Sequence, residues 1–237
     1  MRLTVLGCHG SYPGRGGACS GYLVRGGGTT IWLDAGSGSL ANLQRHVGLA
    51  DVDAVVLTHN HPDHWTDVEG YVVACQYGLE RTGVPVYGPA EVRAAVGERD
   101  PIFAWTTVED GSSVDIGGLH CTFSRTDHGP ETLAVRVEGD GRSLGYSADS
   151  GPGWSLEALG PGLDLALCEA TFLRDREGTV QHMSGRQAGD TARAARAARL
   201  MITHIWPTIP PALVADEASD AFGRRVEVAT LNASTEL

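Results

Sequence analysis

The chain has 237 residues, of which 42% are hydrophobic, and it carries 18 basic against 29 acidic residues, a formal net charge of -11. This length suits one well-buried domain, and no linker or repeat divides it, so we expect a single domain over residues 1–237. The negative charge disfavours large nucleic acid as a partner, although it does not describe a local cleft. No segment is apolar enough for a membrane span, and five scattered cysteines form no disulfide pattern. We therefore expect a cytoplasmic protein without membrane association.

Hydrophobic periodicity predicts several strands first and then strands that alternate with helices. The predicted strands are residues 3–6, 21–25, 30–34, 54–57, 84–87, several within 113–147, then 163–167, 200–203 and 226–229. The predicted helices are residues 39–46, 63–77, 89–96, 185–198 and 211–222. This order predicts an α/β protein, an αββα sandwich of two mixed sheets flanked by helices, with a site on one edge between the sheets.

A dense group of potential metal ligands follows the strand predicted at residues 54–57. The segment reads Thr-His-Asn-His-Pro-Asp-His and contains His59, His61, Asp63 and His64. Three imidazoles and a carboxylate packed this closely at a strand end are costly unless they bind metal. A solvated, histidine-rich turn is the alternative.

Three later residues could complete the same site. His128, Asp149 and His204 each follow an apolar, strand-like segment. Strands of an α/β sheet present such residues from their ends toward one edge. Each alone could be an ordinary loop residue, but the set predicts a metal centre.

With these motifs the chain resembles the metallo-β-lactamase superfamily, in the branch of tRNA 3′-end ribonucleases and small phosphodiesterases. The resemblance extends to Glu169-Ala170-Thr171 and His182-Met183-Ser184, although Pro62 and Ala148 stand where the family commonly has Gly. It implies two metal ions, Zn²⁺ with Mn²⁺ or Fe as alternatives. By this resemblance one ion would be held by His59, His61 and His128, the other by Asp63, His64 and His204, with Asp149 between them.

The resemblance also implies a mechanism. A hydroxide shared by the two ions would attack a phosphodiester, with Asp63 orienting that hydroxide. His182, oriented by Glu169, would protonate the leaving group. Lactonases and β-lactamases lack this pair, so it favours phosphodiester over acyl substrates. Asp34 would orient a histidine ligand, or would simply cap a loop.

The substrate is expected to be a small phosphodiester. The tRNA-processing relatives carry a long basic arm between the third-motif histidine and the bridging aspartate, whereas here His128 and Asp149 are joined by a short hairpin pattern. We therefore expect hydrolysis of 3′,5′-cyclic AMP to 5′-AMP. Trp65 and Trp206 are candidates for a nucleobase wall, and Ser184 for a phosphate contact, with core packing and helix capping as their respective alternatives.

Three other functions stay open at this point. The first is an RNA 3′-processing nuclease of the tRNase Z type that relies on a partner chain to bind the RNA. The second is a lactonase-like hydrolase, and the third is a metal-binding protein without turnover. A homodimer is a possible assembly.

Overall fold

The computed structural model describes residues 1–237, which form fourteen β-strands and six α-helices. The strands are β1 (Arg2–Gly7), β2 (Gly21–Gly26), β3 (Thr29–Ala35), β4 (Ala54–Val56), β5 (Val84–Gly88), β6 (Phe103–Thr107), β7 (Ser113–Ile116), β8 (Leu119–Arg125), β9 (Leu133–Gly139), β10 (Arg142–Tyr146), β11 (Leu165–Glu169), β12 (Arg199–Thr203), β13 (Glu227–Val228) and β14 (Ser234–Glu236). The helices are α1 (Ser39–Leu43), α2 (Pro62–Trp65), α3 (Val68–Ala74), α4 (Ala90–Val96), α5 (Gly185–Ala194) and α6 (Pro211–Phe222).

The strands form two seven-stranded mixed sheets. The first has the order β14-β1-β2-β3-β4-β5-β6, and the second has the order β13-β12-β11-β10-β9-β8-β7. In each sheet one half is antiparallel and the other half parallel: β3 through β6 are parallel neighbours in the first, and β10 through β13 in the second. Parallel strands end at the same edge, so this arrangement gathers the loops after β3, β4, β10, β11 and β12.

Three apolar layers hold the sheets and helices together. A central cluster that includes Leu33 and Leu167 contains residues of both sheets and lies between them. A second cluster joins the second sheet to α5 and α6, and a third joins the first sheet to α1, α3 and α4. The order helix, sheet, sheet, helix confirms the predicted αββα sandwich.

The connection between β9 and β10 is the short hairpin that the sequence predicts. Asp140 and Gly141 have positive φ values of 53° and 68°, as the two central residues of a type I′ turn require. The two strands pair directly from Gly139 opposite Arg142. No long arm lies between them.

Some predicted boundaries were wrong. The helix predicted over residues 63–77 is interrupted after Trp65, resumes at Val68 and ends in a π-helical turn over Cys75–Leu79. The helix predicted to reach residue 198 ends at Ala194, because the chain must reverse direction, with a φ of 54° at Arg196, before it enters β12. Strands β6 and β14 were not predicted. No helix has the length and apolar character that a membrane crossing requires.

Candidate metal centre

All seven predicted metal ligands meet at the edge where the parallel strands end. His59 to His64 follow β4, His128 follows β8, Asp149 follows β10 and His204 follows β12 directly. Asp34 at the end of β3, Ala148 and His204 have φ values between 51° and 57°. Residues other than glycine adopt this left-handed region at a cost of roughly 1–2 kcal/mol, and such strain is concentrated at functional sites.

The ligand atoms form two adjacent groups. Those of His59, His61, His128 and Asp149 lie within 4.8 Å of one another. Those of Asp63, His64, Asp149 and His204 do so as well. Both groups are buried apart from the half-exposed His61.

Asp149 belongs to both groups because its two carboxylate oxygens face different histidines. Its Oδ2 lies 3.5 Å from Nε2 of His59 and 3.8 Å from Nε2 of His128. Its Oδ1 lies 3.2 Å from Nε2 of His64 and 3.3 Å from Nε2 of His204. This carboxylate can therefore be shared between two neighbouring cations.

Two of the imidazoles are oriented by the hydrogen bonds that they donate to Asp34 and Thr58. Nδ1 of His64 donates to Oδ2 of Asp34 at 2.7 Å. The Thr58 hydroxyl also donates to Asp34, at 2.9 Å, so it accepts from Nδ1 of His59 at 3.1 Å. Both rings therefore present Nε2 toward the cluster.

Two other imidazoles, those of His128 and His204, are fixed by groups in the segment between β11 and α5. Nδ1 of His128 donates to the backbone carbonyl of Gln181 at 3.0 Å. The Thr171 hydroxyl donates to Glu169 at 2.7 Å and accepts from Nδ1 of His204 at 3.0 Å. In the four histidines described so far, Nδ1 is held by an orienting group. In His61, by contrast, Nδ1 faces Nε2 of His128 at 3.1 Å.

Several ligand atoms lack any hydrogen-bond partner although they are buried. These atoms are Nε2 of His59, Nε2 of His64 and Oδ1 of Asp149. An unpaired buried polar group costs about 1–3 kcal/mol, so proteins normally satisfy such atoms. Imidazole nitrogens and carboxylate oxygens are ligands of divalent cations. The residues present therefore fit a metal centre.

The carboxylates of the cluster are ionised and available as ligands. Burial opposes ionisation of Asp149, but the neighbouring His204 and His64 hold its pKa well below the usual range. The same balance, with His64 and His204 prevailing over burial, lowers the pKa of Asp63. Both groups accordingly carry negative charge that a cation would neutralise.

His182 lies beside the ligand cluster and is paired with a buried carboxylate. Its ring centroid is 5.0 Å from that of His128 and 5.3 Å from that of His204. Its Nδ1 lies 2.9 Å from Oε1 of Glu169. Burial lowers the pKa of His182, but the charge and hydrogen bond of Glu169 outweigh burial and raise that pKa to about 9. At neutral pH the imidazole therefore holds a transferable proton at Nε2.

Glu169 is fixed by more than His182. Its two carboxylate oxygens also accept hydrogen bonds from the backbone of Ser150 at 2.7 Å and of Met183 at 3.1 Å. Together with the Thr171 hydroxyl these donors hold the fully buried carboxylate in one orientation. The sequence shows Thr171 and Thr58 only as members of motifs and gives no signal for Gln181, because only the fold brings the three residues to their partners.

The three candidate substrate contacts lie in different surroundings. The Ser184 hydroxyl accepts from the backbone of Gln187 and forms a capping box at the start of α5, which confirms its capping role. Trp65 is half-buried, packs against the core of the first sheet and donates from its indole to the carbonyl of Asn60. Trp206 lies at the rim of the cluster, where its indole donates to the Ser11 hydroxyl at 3.1 Å.

The five cysteines are free thiols, as their irregular spacing predicts. Burial raises the pKa of Cys8 to about 11 and that of Cys121 to about 12. None of them contributes a ligand atom to the two groups described above.

Comparison with known proteins gives concordant matches in sequence and in fold. The family model "Beta-lactamase superfamily domain" matches residues 29–205. The chain is 32% identical to the "Probable metallo-hydrolase YhfI" of Bacillus subtilis, over 86% of this chain and 87% of that protein. It is 29% identical to the ribonuclease Z of Mycobacterium bovis, over 96% of this chain and 95% of that enzyme. The crystal structure of Bacillus subtilis YhfI, a metallo-β-lactamase fold protein, superposes with a TM-score of 0.92 at 28% identity and covers 99% of this chain and 98% of that chain.

Proposed function

Because this chain belongs to the metallo-β-lactamase superfamily, we propose that it is a dinuclear metal-dependent phosphodiesterase that hydrolyses a small phosphodiester. The substrate that we favour is a 3′,5′-cyclic nucleotide, cleaved to the 5′-nucleotide. The observation that carries this proposal is the His182–Glu169 pair beside two groups of metal ligands. A protonated imidazole is needed where an alkoxide leaves, as it does from a phosphodiester.

In this proposal each ligand group holds one divalent cation. His59, His61 and His128 would hold one cation, and Asp63, His64 and His204 would hold the other. Asp149 would offer one carboxylate oxygen to each group. Zn²⁺ suits this set of imidazoles and carboxylates, and Mn²⁺ or Fe would suit it as well. Cations bound there would lower the pKa of water toward neutrality and neutralise phosphate charge.

The chain's own groups would then guide the proton transfers. Asp63 accepts a hydrogen bond from the Ser11 backbone through Oδ2, which restrains its carboxylate to orient the attacking water. His182 is held at Nδ1 by Glu169, so the proton on its Nε2 would pass to the leaving oxygen. In cleavage of a cyclic nucleotide that oxygen becomes the 3′-hydroxyl.

Ribonuclease activity of the tRNase Z type is the alternative that the similarity to ribonuclease Z favours. Two features disfavour it. The connection from His128 to Asp149 is a plain hairpin, without the arm that grips tRNA, and the net charge of -11 opposes binding of a large polyanion. A small substrate avoids both difficulties.

A turnover screen tests the proposal. The purified, metal-loaded protein would be given cyclic AMP, cyclic GMP, bis(p-nitrophenyl) phosphate, a simple lactone and a tRNA precursor. We expect phosphodiester hydrolysis that Asp149→Asn abolishes and that Asp216→Asn, an exposed carboxylate on α6, leaves intact. Preferential opening of the lactone, or cleavage of the tRNA precursor with no activity on the small esters, would contradict the proposal.

A further inference from the structure

The indole of Trp206 is tied to the ligand cluster through Ser11. Trp206 follows His204 by two residues, and its Nε1 donates to the Ser11 hydroxyl at 3.1 Å. The backbone N–H of Ser11 in turn donates to Oδ2 of Asp63 at 2.8 Å. Two hydrogen bonds therefore connect the edge of the indole to a carboxylate of the ligand cluster. They fix the indole at the rim of that cluster.

The same indole contacts an aromatic ring and a guanidinium. The fully buried Phe172 packs against it with ring centroids 5.8 Å apart. Arg176 is exposed, and its Cζ lies 5.5 Å from the centroid of the Trp206 ring. Phe172 is thus the buried neighbour of the indole and Arg176 its exposed neighbour.

Arg176 differs from the ion-paired arginines nearby. Arg186, for example, is held by Glu177 and Asp190 at 2.8 and 2.6 Å. The guanidinium of Arg176 has no acidic partner, and its contact is the cation–π contact with Trp206. A guanidinium without an ion-pair partner is available to stack on a planar ligand as well as on the indole.

We propose that Trp206 and Arg176 form a subsite that stacks the nucleobase of a mononucleotide while its phosphate lies at the metal ligands. This inference deepens the proposed phosphodiesterase function and rests on it. Bases stack on aromatic side chains and on guanidinium planes, and the gain is about 5- to 150-fold in affinity per base. The subsite accounts for selection of nucleotides over esters that lack a base.

Two esters with the same leaving group test the proposal. Thymidine 5′-(p-nitrophenyl) phosphate and methyl p-nitrophenyl phosphate differ only in the nucleoside, so the ratio of their kcat/KM values measures the contribution of the nucleoside, and the part of that ratio lost on substitution of Trp206 or Arg176 measures the contribution of the subsite. We expect the ratio to be roughly 5 to 150 for the native chain. Arg176→Ala and Trp206→Leu should each lower it several-fold, whereas Trp206→Phe, which keeps an aromatic face, should retain most of it.

Arg224 supplies a matched control. Its Cζ lies 4.8 Å from the ring of Phe222 at the end of α6, so Arg224→Ala removes a similar cation–π contact away from the cluster. The ratio should not change in this variant. A native ratio near 1, or equal ratios in the native chain, Arg176→Ala and Trp206→Leu, would overturn the subsite while leaving the phosphodiesterase function intact.

A binding measurement separates this proposal from the proposed reaction. Isothermal titration of the metal-loaded protein with 5′-AMP and with ribose 5-phosphate compares two ligands that differ only in the base. We expect tighter binding of 5′-AMP, and a smaller difference in Arg176→Ala and Trp206→Leu but not in Arg224→Ala. Equal dissociation constants for the two ligands in the native chain would overturn the subsite, whether or not any ester is hydrolysed.

Discussion

Oδ2 of Asp34 lies 2.7 Å from Nδ1 of His64, and both side chains are fully buried. The same oxygen accepts hydrogen bonds from the hydroxyls of Thr58 and Tyr146, each at 2.9 Å, while Oδ1 accepts from the backbone of Thr58. This carboxylate therefore orients His64 directly and His59 through Thr58. The finding supports the sequence-based interpretation of Asp34 as a group that orients a histidine.

We predict that Asp34→Asn weakens metal binding about 10- to 100-fold, because loss of the charge makes the His64 nitrogen less basic and leaves the ring less firmly oriented. Competition with a chromophoric chelator measures the affinity. Asp53→Asn is the control, since Asp53 accepts only a backbone hydrogen bond, from Thr30, on an exposed loop. An affinity within twofold of the native value would remove Asp34 from this role.

Substitution of His182 should affect substrates according to their leaving group. In His182→Ala, esters with alkoxide leaving groups should react about 10²- to 10⁴-fold more slowly, because no acid protonates the departing oxygen. Esters of p-nitrophenol should lose less than about tenfold, since p-nitrophenolate departs without a proton. Steady-state kinetics on both kinds of ester measures the difference.

The control for that experiment is another histidine paired with a carboxylate. Nδ1 of His120 lies 2.6 Å from Asp115 on the exposed β7–β8 hairpin, so His120→Ala removes a comparable pair away from the cluster. Rates with both esters should stay unchanged in this variant. An equal loss for both esters in His182→Ala would remove His182 from the acid role.

Removal of metal should destabilise the folded chain. A ligand present at 1,000 times its dissociation constant stabilises the native state by about 4 kcal/mol, which for a chain of this size corresponds to roughly 10 °C in Tm. We expect EDTA to lower Tm by about that amount and added Zn²⁺ to restore it. Scanning calorimetry measures the shift. Asp149→Asn should show little response to either treatment, and an unchanged Tm in the native chain would argue against bound metal.

The thiols should be unreactive in the native protein. Burial raises the pKa of Cys8 to about 11, so at pH 8 about one thousandth of it is the reactive thiolate, and that fraction grows only as pH approaches 11. Titration with DTNB at pH 8 should detect no rapidly reacting thiol before denaturation and five after it. A thiol that reacts rapidly in the folded chain would contradict the burial described for these cysteines.

The metal ligands could be anticipated from the sequence because each follows a recognisable apolar segment. A residue such as His204 needs only the end of its strand to be located, and parallel strands place such ends together. Thr171 and the Gln181 carbonyl could not be anticipated in the same way. Their roles depend on contacts with His204 and His128, which are distant in sequence.

The missed strands have a similar explanation. In β6 only Phe103 is buried, and β14 has no buried residue, so neither shows the alternating apolar pattern of a half-buried strand. Both strands lie at the edges of the first sheet, and they are strands because they pair with a neighbouring strand. The interruption of the helix predicted over residues 63–77 likewise reflects tertiary contacts, since the backbone of Asp67 donates to the carbonyl of Ala35 at the end of β3.

The number of divalent cations bound per chain tests the central claim most directly. After equilibrium dialysis against Zn²⁺, inductively coupled plasma mass spectrometry should find two ions per native chain and at most one in His61→Ala, which lacks a ligand of the first group. A native chain that binds one ion or none under these conditions would contradict the dinuclear centre on which the proposed hydrolysis rests.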